Sequence, residues 1–110
     1  MLREAAAVGV PLMLTENGIA TADDTRKISF IGRHVAALDA ARRDGIDVRG
    51  YFYWSLTDTY EWLQGLDKRF GLYRVDWRTL ERTPTRAAGY YAGLVRERRA
   101  GSPSLNCSRI

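Results

Sequence analysis

A chain of 110 residues allows one small domain and no more. With 45% hydrophobic and 27% charged residues it is not a disordered tract, and no apolar run approaches the ~20 residues needed to cross a bilayer. The net charge of +4 comes almost wholly from arginine, and Arg96, Arg98 and Arg99 crowd the last predicted helix. No recognised nucleic-acid module accompanies them, so they read as a solvated helix end where cations favour the negative pole of the dipole.

In chain order, Leu2 to Val8 look like the end of a helix stopped by Gly9 and Pro11. This N-terminal stretch carries Glu4 and few consecutive apolar residues, which makes it a poor signal peptide. Pro11 to Thr15, reading PLMLT, is a continuous apolar run, the pattern of a strand buried on both faces. Asp23, Asp24 or Thr25 can cap a helix that ends at Gly45, with Ile28, Ile31, Val35 and Leu38 forming its apolar stripe. His34 falls beside that stripe and reads as a packed or partly exposed structural histidine rather than a substitute base.

Val48 to Leu56, rich in β-branched and aromatic residues, predicts a second strand. A loop from Thr57 to Arg82 follows, far longer than the usual connection of ~2–6 residues. Thr83 then caps a last helix with Pro84 at its first position and Tyr91, Leu94 and Val95 on one face. The tail GSPSLNCSRI reads as frayed. Its Cys107, alone in the chain, permits no internal disulfide, so a reducing, cytoplasmic setting is expected.

Alternating strands and helices predict an α/β fold with a parallel sheet. Two strands cannot complete such a sheet, because a strand apolar on both faces needs neighbours on both sides. The arrangement fits the last two βα units of a (β/α)8 TIM barrel, a fold of typically ~250 residues. Barrel active sites are built at the C-terminal ends of strands and in the loops that follow. Two stretches meet that description, Thr15-Glu16-Asn17-Gly18 and the segment from Trp54 to Phe70. A carboxylate that ends an apolar strand is costly to bury without a task or a partner, so Glu16 is either catalytic or a salt-bridged rim residue. The stretch WSLTDTYEW concentrates two tryptophans, a tyrosine and two carboxylates. Aromatic faces stack on sugar rings, and indole N–H groups and carboxylates hydrogen-bond hydroxyls; the same tryptophans could also be core aromatics.

Three linked motifs then narrow the choice. LTENG resembles the nucleophile motif of glycoside hydrolase family 1. GYFYWSLTDTYEW and KRFGLYRVDWRTLERTP resemble the two segments that follow it in that family, in the same order, and the match runs from about Leu2 to Tyr91. The resemblance implies a partial catalytic domain over residues 1–100, hydrolysing β-glycosidic bonds with retention through a covalent glycosyl-enzyme on Glu16. It implies Trp54 as the platform beneath the sugar, Glu61 as the carboxylate binding its distal hydroxyls, Trp62 as an indole donor, and Phe70 as an aromatic that closes the pocket. Asn17 and Asp58 are expected to be supporting loop hydrogen-bonders. Thr57 and Thr59 depart from the family's usual Leu and Asn. The Glu61-Trp62 pair implies a neutral glycon such as glucose, galactose or fucose rather than a phosphorylated one.

No metal and no cofactor are implied, nor a nucleic-acid or membrane partner. The acid/base that the family carries in an Asn-Glu-Pro motif does not occur in these 110 residues. The expected partners are therefore a β-glucoside or related neutral β-glycoside, together with the remaining barrel portion or a second copy of the chain.

Overall fold

The computed structural model describes residues 2–101. The chain opens with α1 (Leu2–Ala6), which gives way to a turn with Gly9 at φ 80°. Strand β1 (Leu12–Asn17) runs into α2 (Asp24–Arg43), and β2 (Val48–Tyr53) follows. Of the three candidate caps, Asp23 is the one used. Its carboxylate accepts from the backbone N–H groups of Thr25 and Arg26, satisfying two donors that the helix leaves free.

The expected long loop is not structureless. A 3-10 turn spans Trp62–Gln64, and an antiparallel hairpin pairs β3 (Tyr73–Val75) with β4 (Arg82–Pro84). The hairpin escaped the sequence reading because each strand is three residues long and β4 has no buried residue, so neither shows a hydrophobic period. Asp76 builds the turn by accepting from the N–H groups of Arg78 and Thr79. Thr83 and Pro84 thus belong to a strand, and the cap of α3 (Arg86–Gly101) shifts to buried Thr85, whose hydroxyl accepts from Ala88 N–H and donates to Leu72 C=O. Gly101 still lies in α3, while the expected tail beyond it, with Cys107, lies outside the described residues.

β1 and β2 pair in parallel, joined by α2, as the alternation predicts. The helices cover one face of this pair. Leu12 and Leu14 pack with Val48, Leu38 and Ala41, and Tyr53 packs with Ile31, Val35, Leu72 and Ala87. Fully buried Ile31 removes enough apolar surface to contribute about 2–3 kcal/mol. α3 closes the layer through Tyr91, whose hydroxyl donates to Tyr51 C=O, and through a two-pronged ion pair from Arg98 to Asp39 of α2. His34 is half-buried, with Nδ1–H donating to Phe30 C=O at 2.8 Å, the structural role expected for it.

β1 is not buried on both faces. Met13, Phe52 and Trp54 stand exposed on the side opposite the helices. The reason is the one that made a two-stranded sheet look incomplete: within these residues no second layer covers that side.

Candidate active site

The pairing of β1 with β2 is irregular, and one irregularity decides where Glu16 points. Leu14 lies opposite Tyr51 and Asn17 opposite Tyr53, so three residues of β1 span two of β2. Simple alternation from Leu12 and Leu14 would send Glu16 towards the helices. The bulge reverses this. Asn17 now shares the helix side with Tyr51, whose hydroxyl donates to its Oδ1 at 3.0 Å, and Glu16 turns to the open side. There it forms no hydrogen bond or ion pair with any described residue.

Trp54 follows immediately after β2 on that same open side. Its N–H donates to Asn17 C=O at 3.1 Å, and its carbonyl lies so close to Gly18 that any Cβ at position 18 would collide with it. Glu16, Asn17, Gly18 and Trp54 therefore form one unit at the strand ends, and the Trp54–Ser55 peptide is cis.

Asp58, predicted as a loop hydrogen-bonder, is the anchor of the segment after β2. Its buried carboxylate accepts from Gly71 N–H at 2.9 Å, Val75 N–H at 3.3 Å and the Arg69 guanidinium at 2.8 Å. Gly71 is required there, because a Cβ would strike the backbones of Thr57, Asp58 and Tyr73. Phe70 is half-buried next to it, with its carbonyl accepting from the Tyr53 hydroxyl at 3.0 Å.

Glu61 and Trp62 lie farther along the excursion. The Glu61 carboxylate accepts from the Thr59 hydroxyl at 2.6 Å, so the threonine that departs from the expected pattern orients this acid. Trp62 is 82% exposed and has φ 41°, a left-handed backbone that costs a bulky residue about 1–3 kcal/mol. Neither residue forms a hydrogen bond to Glu16 or Trp54. Strand pairing thus unites the Glu16 and Trp54 halves, whereas Glu61, Trp62 and Phe70 hang on the Asp58-anchored segment.

Two participants were missed in the sequence. Lys27 is buried, with 2% exposure, and its ammonium donates to Gly71 C=O at 2.6 Å. Burial lowers its pKa, opposed by the Asp58 and Asp24 carboxylates and reinforced by Arg74. The signal was there: Lys27 stands one helical repeat before Ile31 and Val35, a cation on the apolar stripe. Tyr53 is the other, with its hydroxyl pushed up to about 12 by burial and by the Asp58 charge, against the Ile19 backbone hydrogen bond.

A cavity of about 300 Å³ opens on the far side of β2, between α2 and α3, with Val35, Tyr51, Tyr91 and Arg98 in its walls; none of the predicted site residues lines it. Among the described residues no cluster of three His, Cys, Asp or Glu could hold a metal ion, and no helix is long and apolar enough to cross a membrane.

The family model for glycosyl hydrolase family 1 matches residues 4–100. The chain is 41% identical over 104 aligned positions to beta-glucosidase 47 of Arabidopsis thaliana, covering 89% of this chain and 19% of that protein. It is 47% identical over 81 positions to a beta-galactosidase of Pyrococcus woesei, covering 74% of this chain and 16% of the relative. In structure it resembles a beta-glycosidase from Pyrococcus horikoshii with a TM-score of 0.85 and 46% identity, over 94% of this chain and 26% of that one. The chain therefore spans less than a fifth of the length of these two sequence relatives.

Proposed function

This chain belongs to glycosyl hydrolase family 1, and from that premise we propose that it carries the nucleophile-bearing, sugar-binding part of a retaining β-glycosidase site, on the last two βα units of a (β/α)8 barrel. The observation that carries the reading is the bulge in β1, which turns Glu16 to the open face beside Trp54. In this reading Glu16 attacks the anomeric carbon and forms the glycosyl-enzyme, while Trp54 stacks beneath the ring. The exposed, strained Trp62 and the Thr59-oriented Glu61 are groups held for hydroxyls, and Phe70 closes the pocket.

Retention needs a second carboxyl group ~5–5.5 Å from the nucleophile to protonate the leaving oxygen and then activate water. Asp58 is engaged on all sides by Gly71, Arg69 and Val75, and Glu61 is assigned to sugar hydroxyls, so the acid/base comes from outside these 110 residues. Alone, the chain lacks a term worth about 10²–10⁴ in rate and does not turn over ordinary glycosides. The substrate we assign is a neutral β-glycoside.

The test is complementation. The chain is mixed with a polypeptide supplying the preceding part of a family 1 barrel, and aryl β-glucoside and aryl β-6-phosphoglucoside are offered in parallel. Hydrolysis of the neutral substrate that Glu16→Gln abolishes supports the proposal. Preference for the phosphorylated substrate overturns the glycon assignment, and activity that survives Glu16→Gln overturns the nucleophile.

A second reading, a non-catalytic sugar-binding or self-associating fragment, is favoured by the exposed apolar side formed by Met13, Phe52 and Trp54. Concentration-dependent dimerisation without complementation would select it.

A further inference from the structure

We infer that Lys27, together with Tyr53, is a positioning residue for the sugar-closing segment at Phe70 and Gly71. The inference deepens the proposed function and rests on it for the purpose of the segment. The polar backbone groups around this segment are held by groups from four different parts of the chain. Thr21 N–H, between β1 and α2, donates to Arg69 C=O at 3.0 Å. The Tyr53 hydroxyl, at the end of β2, donates to Phe70 C=O at 3.0 Å. The Lys27 ammonium, in the first turn of α2, donates to Gly71 C=O at 2.6 Å, and Asp58 accepts from Gly71 N–H at 2.9 Å.

Lys27 occupies a place where an aliphatic residue would complete the helix stripe, and burying an ammonium is costly unless it is bound. Here it is bound to a single backbone carbonyl, in the field of Asp24 and Asp58 with Arg74 opposing. A charge-assisted bond of this kind fixes a carbonyl's position more firmly than packing does, because it is directional and stronger than a neutral bond. The tie runs from the helix that follows the Glu16 strand to the residue after Phe70, across 44 positions of sequence. Tyr53 reinforces it, since its hydroxyl also interacts with the backbone of Ile19, just after the strand that carries Glu16. The two side chains thereby fix the backbone carbonyls of Phe70 and Gly71 relative to β2 and α2 without touching the sugar.

Lys27→Met, Lys27→Arg and Tyr53→Phe test this in the 110-residue chain, read by amide hydrogen exchange and by glucose titration of the Phe70, Gly71 and Trp54 resonances. Lys27→Met should speed Gly71 exchange about ten-fold and weaken glucose binding about ten-fold, the loss of one charged-group hydrogen bond. Exchange at Leu14 and Tyr51 in the paired strands should stay unchanged. Lys27→Arg should restore both readouts, and an Arg variant no better than Met overturns a role for the charge. Tyr53→Phe keeps the ring and removes only the hydroxyl; it should give a smaller change at the same residues, and it decides the matter if Lys27→Met does not fold. Exchange that rises uniformly through β1 and β2, or not at all, overturns the inference. A native chain that exchanges as expected but ignores glucose sinks the sugar reading alone.

Discussion

Asp58→Asn is the most informative single change, because the side chain it alters is fully enclosed and each of its bonds is known. The carboxylate uses Oδ1 for Gly71 N–H and Oδ2 for both Val75 N–H and the Arg69 guanidinium. An asparagine can keep its oxygen on Gly71, but its NH₂ then faces two donors. The charge-assisted bond to Arg69 is lost, at about 1.5–3 kcal/mol, and Val75 N–H is left unsatisfied at about 1 kcal/mol, the low end because its bond is long. Arg69, with its side chain 35% exposed, regains water, which keeps the total near the lower edge of the ~3–5 kcal/mol usual for breaking a buried pair. The expected cost is about 3 kcal/mol. Urea denaturation should move the midpoint down by about 1–3 M with an unchanged slope, and amide protection at Val75 should fall first. A midpoint shift below about 0.5 M would refute the reasoning, since it would mean the three bonds add nothing to folding.

Two further predictions follow from the same geometry. Gly18→Ala forces a Cβ against the Trp54 carbonyl, so the strand ends must separate; a cost of about 1–3 kcal/mol and loss of the Trp54 N–H protection are expected in denaturation and hydrogen exchange, and a neutral outcome would contradict the close approach. Stability should fall as pH rises from about 10 to about 12, because folded Tyr53, with its pKa pushed up to about 12, keeps a proton that the unfolded chain has released above its usual value of 10.0. Tyr51, also pushed up by burial, adds to the fall, while Lys27, with its pKa lowered by burial, opposes it just below 10.5. Tyr53→Phe should make that fall shallower, by up to about 1.4 kcal/mol per pH unit over the window; an unchanged slope would show that Tyr53 titrates as it does in the unfolded chain.

The alternation of strand, helix and strand, the long central excursion and the family motifs were all readable along the chain, because each is carried by neighbouring residues. A cap among Asp23, Asp24 and Thr25, and Ile31, Val35 and Leu38 as core, follow from local propensity and a 3.6-residue period, while the structure selects Asp23. Other features depended on residues distant in sequence. The hairpin of β3 with β4 was illegible because three-residue strands show no period, and the cap of α3 moved from Thr83 to Thr85 when that hairpin claimed Thr83 and Pro84. Asp58 could be read as a loop hydrogen-bonder, but not as the acceptor that holds Gly71 and Val75 together, 13 and 17 positions away.

Glu16 shows the division most clearly. Its residue type and its place at a strand end could be read from the chain, and so could the motif around it. Which face of the sheet it occupies could not, because strand alternation points it at the helices. Only the pairing with β2 supplies the extra residue in the ladder that turns it to the open side. A bulge is a property of two strands in register, so it exists only once distant segments have met.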